Sequence, residues 1–362
     1  MSKPPTTKEE IDVLPTILDV VEQISAYENQ LILPSAGQIP SSCFFDEGRY
    51  SYVSDKNNRS VVRLMPMSQS PFRFYRGQSS YYVPCKSSLF RLSHSERLSN
   101  EDEIIANRIK TCEFILLLKS HPIYSYLCQN ITGNPIALAQ HYGFATEYLD
   151  ITNSKWVAAF FASTRYDWET DTYFPVGREY GFGVMYISKD WKSGNLPDSF
   201  FAKNGVIGYQ YFERPTKQSS FGFAMTKEED FNNCEYFDKV FFKHDIVASN
   251  IVFDMSYQQK RFIPRDSLSR LARTIQNSEE VTISSIRLCH QLFYPNDEMG
   301  LLEDIVKKKG WTIRESDKPI TEFSTEELDF EWTQWTGFGK ADIESRTLPI
   351  IPIAELEVPD YK

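Results

Sequence analysis

The chain has 362 residues, of which 41% are hydrophobic and 14% aromatic, enough to fill a sizeable core and to exclude an intrinsically disordered protein. Asp and Glu outnumber Lys and Arg by 49 to 39, a formal charge of -10, which disfavours general binding to a nucleic-acid backbone. A local basic pocket for a nucleotide is compatible with this charge, because net charge does not describe pockets.

The N-terminus and the cysteines predict a cytoplasmic protein. Residues 1–10 are polar and lack the apolar core of a signal peptide, and no aliphatic run is long enough to span a bilayer. The six cysteines include no C-x-x-C pair. We therefore expect reduced cysteines, no metal site and no membrane association.

The predicted elements of the N-terminal half are mostly helical. Apolar residues recur at helical spacing, and Ser99 precedes an acidic turn that is typical of a helix start. Thr152 or Asn153 is predicted to cap an apolar helix. The predicted elements are a helix over 10–27, a loop-rich segment over 34–70, a strand over 72–76, and helices over 101–118, 136–142 and 154–164.

The second half is predicted to contain strands followed by helices. This segregation favours an α+β fold, with a core of mixed or antiparallel strands flanked by helices, over a doubly wound dinucleotide fold. Neither G-x-G-x-x-G nor G-x-x-x-x-G-K occurs in the chain. The predicted elements are a loop over 167–181, strands over 183–188, 221–225, 239–244 and 250–255, and helices over 265–279 and 298–309.

Composition divides the chain into three predicted units. Residues 1–68 form an N-terminal helix and loop-rich segment, and residues 69–315 form the main domain. Residues 316–362 are acidic and aromatic, with Trp332 and Trp335 among them. This tail either packs on the body or reaches a protein partner.

The string Tyr75-Arg76-Gly77-Gln78 is the first candidate for ligand binding. Arginine holds five donors in a fixed fork, which suits a diphosphate or a carboxylate. Gly77 has no Cβ, so the backbone can approach a planar ligand there. The alternative is a strand-end arginine in a structural salt bridge.

The string from residue 140 to residue 162 is the second candidate. It is predicted to carry His141, Tyr142, Asp150 and Thr152 through a turn over 149–152 to the N-terminal end of a buried helix, where backbone N–H groups can hold a ligand. The alternatives are that His141 and Tyr142 fill the core and that Asp150 and Thr152 only cap the helix.

A third candidate precedes the strand predicted over 221–225. Arg214 suits a phosphate, and the Gln218 amide suits a sugar hydroxyl. The alternative is an exposed loop with a structural glutamine.

Together these strings resemble the FRG domain family, over about residues 70 to 315. One residue departs from the family pattern: Glu147 stands where the family usually has arginine. The resemblance rests on the following stretches: Phe74–Gln78, Gln140–Gly143, Leu149–Thr152, Val157–Ala162, Arg214 with Gln218, and Leu292–Asp297.

The motif order is in turn similar to that of ADP-ribosyltransferases, which implies NAD as a substrate and transfer to an unknown acceptor. By this resemblance Arg76 grips the phosphates and the nicotinamide-side ribose, and Gly77 backbone groups hold the nicotinamide amide. The implied catalytic residues are Arg76, His141, Asp150 and Gln218. The implied cofactor-binding residues are Tyr75, Arg76, Gly77, Gln78, Tyr142, Thr152 and Arg214.

One requirement of that chemistry leaves an alternative open. Cleavage of the nicotinamide–ribose bond builds positive charge on the sugar, which a carboxylate stabilises. Gln218 is neutral, so the carboxylate must come from Glu147, Asp150 or Glu213. Without one, the chain is instead a non-catalytic module that binds a nucleotide or a protein, within a bacterial or phage defence or toxin system.

Overall fold

The chain was analysed as a computed structural model, which describes residues 3–31, 50–54, 62–66, 73–91, 99–128, 133–189, 204–207, 212, 214–334 and 347–348. A central six-stranded sheet lies among helices, which confirms the α+β class. The helices are α1 Lys8–Asp12, α2 Ile17–Leu31, α3 Asn100–Ser120, α4 Pro122–Leu127, α5 Pro135–His141, α6 Lys155–Ser163, α7 Arg214–Lys217, α8 Ile246–Met255, α9 Ser267–Asn277, α10 Ile283–Phe293, α11 Met299–Lys309 and α12 Thr325–Gln334. The strands are β1 Tyr50–Ser54, β2 Val62–Pro66, β3 Tyr75–Gln78, β4 Tyr148–Thr152, β5 Thr164–Asp167, β6 Thr172–Pro175, β7 Phe182–Ser188, β8 Asn204–Val206, β9 Ser220–Ala224, β10 Phe237–Lys243, β11 Glu280–Thr282, β12 Thr312–Arg314 and β13 Thr347–Leu348.

The central sheet has the strand order β10-β7-β3-β4-β9-β8, and every neighbouring pair is antiparallel. The pairing between β3 and β4 is much shorter than its neighbours. These strands are paired only at Tyr75 and Thr152, whereas β3 pairs with β7 over the whole length of β3. The middle of the sheet therefore joins at one register position and diverges beyond it.

Helix α6 packs against one face of the sheet at an unusually close distance. A Cβ on Gly77 would lie 1.8 Å from the carbonyl oxygen of Ala158 and 2.8 Å from Cβ of Ala162. The backbone approach that the sequence assigned to a ligand is therefore made by this helix. The shared core of this face contains Tyr75, α6 residues and apolar residues of α2 and α8.

We predict that Gly77→Ala lowers the free energy of unfolding by about 3 kcal/mol or more, because the added methyl meets backbone rather than a movable side chain. Urea denaturation measures this change. Gly300→Ala is the matched control: nothing lies within 4 Å of a Cβ there, and alanine in a helix is favoured by about 0.5–1 kcal/mol. Equal effects of the two substitutions would contradict the close packing.

An aromatic core covers the opposite face of the sheet, so the central strands are packed on both faces. Its members come from β4, β7, β9 and β10 and from the loops that cover them. They include Leu149, Ile151, Tyr186, Phe221, Phe223, Phe231, Phe237 and Phe241.

Helix α5 brings the second candidate string to the sheet. Asn134 caps its start through bonds from the Ile136 and Ala137 N–H groups, and the helix ends at His141. Gly143 then adopts a φ of +84°, a left-handed conformation that glycine tolerates without a penalty. The chain turns back there and enters β4.

A lysine is buried between α3 and the C-terminal elements. The Lys110 ammonium donates to the carbonyls of Ile275 at 2.9 Å and Ser278 at 2.6 Å, and it lies 4.6 Å from the Trp311 ring centroid. Burial nevertheless lowers the pKa of Lys110 to about 8, while the charge of Glu113 opposes that shift.

This shift predicts a pH dependence of stability. Above about pH 8 the folded protein loses the Lys110 proton, while the unfolded chain keeps it to about pH 10.5. Unfolding then takes up a proton, so the free energy of unfolding should rise with pH, by at most about 3 kcal/mol over that window. Urea denaturation of the native chain and of Lys110→Met between pH 7.5 and pH 10 tests this, and parallel pH profiles would contradict it.

Most strongly periodic elements lie where the sequence predicts them, and several predictions are wrong. Residues 250–255, predicted as a strand, belong to α8, because the Asp245 carboxylate caps a helix start by accepting from Val247 and Ala248. Residues 149–152, predicted as a turn, lie in β4. Ser154 caps α6, rather than Thr152 or Asn153. The predicted loop over 167–181 contains β6 and the end of β5, the predicted helix over 10–27 is two helices, and α10 was not predicted.

The described part of the tail packs on the body. Phe323 is buried, and Glu331 of α12 lies 2.7 Å from Nε2 of the buried His121. Trp335 lies outside the described residues. At the other end, α2 shares its core with α6, so the predicted boundary near residue 68 separates segments that pack together. None of the helices in the described parts of the chain has the length and apolar character of a membrane span.

Candidate functional site

Arg76 lies where β3 and β4 diverge, and its guanidinium links the two strands. Nη1 donates to the backbone carbonyl of Asp150 at 2.7 Å. Its Nε is buried and has no hydrogen-bond partner among the residues that the structure describes. The structure therefore brings the first two candidate strings together at this point in the sheet.

His141, Asp150 and Gln218 form a cluster beside this link. Nδ1 of His141 lies 2.9 Å from Oε1 of Gln218, and Nε2 of His141 lies 3.4 Å from Oδ1 of Asp150. The His141 side chain is 2% exposed, whereas the Asp150 side chain is 37% exposed. The cluster therefore runs from the buried interior to an accessible carboxylate.

Gln218 is held on every side by protein groups. Its Nε2 donates to the Phe262 carbonyl at 2.9 Å, and its own backbone carbonyl accepts from Oγ1 of Thr152 at 2.7 Å. Thr152 Oγ1 also accepts from the Ser154 N–H at 3.0 Å. Thr152 and Gln218 thus join β4 to the segment before β9. The amide oxygen and the amide nitrogen of Gln218 both have hydrogen-bond partners within the fold.

Arg214 holds three segments together beside the cluster. Its guanidinium donates to the His141 carbonyl at 2.9 Å, to Oγ of Ser269 at 2.8 Å and to the Pro264 carbonyl at 3.3 Å. It also lies over the Tyr142 ring, 4.7 Å from the centroid. Tyr142 in turn donates its hydroxyl to the Asp266 carboxylate at 2.7 Å. These contacts use Arg214 as an internal cross-link.

We predict that Arg214→Met lowers the free energy of unfolding by about 2–3 kcal/mol, because three carbonyl or hydroxyl acceptors lose a charged donor. Chemical denaturation measures the loss. Arg265→Met is the control, since that side chain is 67% exposed and lies 4.0 Å from Asp171, a pair worth less than about 1 kcal/mol. A stable Arg214→Met protein that has lost only anion binding would instead favour the phosphate role.

The remaining residues of the first string lie apart from the cluster. Tyr75 is fully buried on the α6 face, and its hydroxyl donates to the Glu28 carboxylate, which also binds Lys155 at 2.6 Å. Gly77 lies on the same face, against α6. Gln78 is buried and contacts Sγ of Cys85 at 3.5 Å. None of their described contacts joins them to His141, Asp150 or Gln218.

The Gln140 side chain holds in place a segment in which the sequence predicted no candidate site residue. Its Oε1 accepts from Oγ of Ser88 and from Oγ1 of Thr146, each at 2.9 Å. The Leu89 N–H also donates to the Thr146 carbonyl at 3.1 Å. A short 3-10 turn over Ser88–Phe90 is thereby tied to α5, and Arg91 follows it directly.

Arg91 is the functional candidate that sequence reasoning missed. Although the residue as a whole is exposed, the burial of its guanidinium lowers its pKa, the nearby charge of Arg76 lowers it further, and Asp150 raises it. Arg91 therefore lies within the electrostatic reach of both Arg76 and Asp150, and two guanidinium groups in one region favour an anionic ligand. Arg91 belongs to no recognisable motif, so the sequence carried no signal for it.

The two other carboxylates considered for catalysis are not found in this cluster. Glu147 is half-buried at the start of β4, where its backbone carbonyl accepts from the Met225 N–H at 2.9 Å. Within the described residues no hydrogen bond or ion pair joins its side chain to Arg76 or His141. Glu213 lies outside the described residues. Asp150 is therefore the carboxylate that the described part of the site provides.

A shallow hollow lies elsewhere on the molecule. It is formed by α2 and the segment before it, and none of its lining residues is a candidate site residue. The lining consists of Val13, Pro15, Asp19, Glu22, Gln23 and Ala26.

Comparison with known families supports the motif assignment. The family model of the FRG domain matches residues 72–171, so this part of the chain is an FRG domain. The match contains Arg76, His141, Asp150 and Thr152, and it ends before Gln218. A search of curated proteins finds no match to the chain, and a search of solved structures finds none either.

Proposed function

We propose that the chain is an NAD-utilising, ADP-ribosyltransferase-like protein of the cytoplasm that acts on an unidentified acceptor. One observation carries the proposal: the Arg76 guanidinium bonds the backbone carbonyl of Asp150, the Asp150 side chain is accessible, and the charges of Arg76 and Asp150 both act on Arg91. Such a site can hold the negative diphosphate of a dinucleotide and face the sugar carbon that becomes positive. The same motif order supports an ADP-ribosyltransferase-like core.

The two arginines are suited to the diphosphate. Guanidinium forks match phosphate oxygens in geometry and charge. Within the described part of the chain the buried Nε of Arg76 has no acceptor, and a buried unsatisfied donor costs about 1–3 kcal/mol. An oxygen ligand that reached this donor would remove that cost, so the residues present fit the group.

Asp150 is suited to the sugar. In the proposed reaction the bond between the nicotinamide nitrogen and C1′ of the ribose breaks, and its electron pair leaves with nicotinamide. The acceptor forms a new bond to C1′ with its own lone pair and gives up a proton. A carboxylate beside C1′ stabilises the positive charge of the transition state, and electrostatic help of this kind is worth roughly 3 kcal/mol.

Nicotinamide release from NAD tests the proposal. We expect Asp150→Asn to lower kcat by roughly 100-fold or more, because it removes the charge but keeps the shape of the side chain. We expect Arg76→Lys to weaken NAD binding, because an ammonium cannot replace the planar fork.

Asp304→Asn is the matched control for charge, since Asp304 is an exposed residue of α11 with a side chain that is 66% exposed. It should leave nicotinamide release unchanged. No release by the native chain between pH 6 and pH 9, with hydroxyl, amine and nucleic-acid acceptors supplied, would reject transfer.

The internal hydrogen bonds of Arg214 and Gln218 favour a second candidate, a module that binds a nucleotide or protein without turnover, within a defence or toxin system. The bonds of these side chains go to groups of the fold, so neither is available as the main ligand contact of a transferase site. The module would bind NAD or ADP-ribose saturably in calorimetry, lose that binding in Arg76→Ala, and release no nicotinamide.

A further inference from the structure

We infer that Gln218 is a positioning residue, which fixes His141 with a proton on Nδ1 and thereby holds Nε2 of His141 toward the Asp150 carboxylate. The inference comes from the donors and acceptors of four groups in a row. They are the Phe262 carbonyl, the Gln218 amide, the His141 ring and the Asp150 carboxylate.

The orientation of the Gln218 amide is set by its inner neighbour. A backbone carbonyl can only accept, so the atom 2.9 Å from the Phe262 oxygen must be the amide nitrogen. The amide oxygen therefore points at His141, 2.9 Å from Nδ1. An oxygen at that position requires a donor, so Nδ1 carries a proton.

The other ring nitrogen of His141, Nε2, faces the Asp150 carboxylate. Nε2 lies 3.4 Å from Oδ1 of Asp150, and neither of these buried atoms has a hydrogen bond within the described part of the chain. A neutral ring with its proton on Nδ1 has a bare lone pair at Nε2, and an ionised carboxylate also only accepts. With the proton held on Nδ1, the bare Nε2 is the ring atom that faces the carboxylate.

Because Oδ1 is buried, the exposed part of the Asp150 side chain includes its other oxygen. Gln218 thus acts through His141 on the carboxylate that would face a substrate, and it does not contact the substrate itself.

The protonation of His141 can be read by long-range proton–nitrogen NMR on the full chain labelled with ¹⁵N-histidine. The chain has five histidines, and the signals lost in His141→Asn give the assignment. We expect Nδ1 of His141 to appear in the range of protonated nitrogens. A native spectrum with an unprotonated Nδ1 would overturn the inference, and this measurement needs no activity.

Two substitutions of Gln218 sharpen the test. Gln218→Glu keeps an acceptor for Nδ1, so the Nδ1 proton should remain. Gln218→Leu removes the acceptor, so the proton should leave Nδ1 while Nε2–H faces Asp150. An unchanged His141 pattern in Gln218→Leu would contradict the inference. If Gln218→Leu does not fold, the native and Gln218→Glu spectra still decide.

Asn232→Leu is the control for loss of a buried amide. Asn232 accepts from the Tyr186 hydroxyl at 2.7 Å and donates to the Tyr82 carbonyl at 2.8 Å, in the aromatic core on the opposite face of the sheet. This substitution should leave the His141 nitrogen shifts in place. A shift as large as that in Gln218→Leu would show a general effect of destabilisation and overturn the assignment.

The kinetic consequence rests on the proposed function, whereas the protonation pattern does not. If nicotinamide is released, Gln218→Leu should lower kcat by at least 10-fold with the KM for NAD unchanged, and Gln218→Glu should retain more of the rate. A raised KM with an unchanged kcat would mean that Gln218 binds the substrate, which overturns the positioning role. No release by the native chain would reject the proposed function and leave the NMR result to stand.

Discussion

The close contact between Gly77 and helix α6 is the constraint on which the site depends. Because β3 has no side chain at this position, its backbone lies against the Ala158 carbonyl, and the strand is held in one orientation. Residues next to each other in a strand point to opposite faces. Arg76 is thereby turned away from the helix and toward the divergence from β4. A glycine that the sequence suggested as a ligand contact therefore acts on the site through packing.

The site is assembled from segments that are far apart in the chain. Arg76 contacts Asp150, which lies 74 residues later in the chain, and His141 contacts Gln218, which lies 77 residues later. Local patterns predicted that these residues were unusual, and the FRG resemblance grouped them. Their pairing could not be predicted, because it depends on the strand order and on the turn at Gly143. The contact with the Phe262 carbonyl could not be predicted for a further reason. Every residue has a backbone carbonyl, so the sequence does not show which of them accepts a given hydrogen bond.

Hydrophobic periodicity predicted the long helices and strands well. It failed where a single polar residue determines the local structure. Residues 250–255 contain the short apolar run Ile251–Phe253 and were predicted as a strand, yet one carboxylate at Asp245 satisfies two free N–H groups and begins a helix that includes them. Capping of this kind is worth about 1 kcal/mol, enough to choose between local structures of similar propensity. The same limit applies to Thr152, one of two residues predicted to cap α6: Ser154 is the cap, and Oγ1 of Thr152 joins β4 to Gln218. Short polar side chains have several possible partners, and only the fold selects one.

The polar groups around the site divide into two kinds by how completely the protein pairs them. The Gln218 amide has both atoms bonded within the fold, as a rigid support requires, and Arg214 makes three bonds, although its buried Nε has no partner among the described residues. His141 and Asp150 have one buried atom each that faces the other without a bond in the described part of the chain. An incomplete pair of this kind costs stability, and it persists here because saturated neighbours hold it in place. Asp150 is therefore the accessible member of this cluster, and a buried and fixed histidine lies behind it.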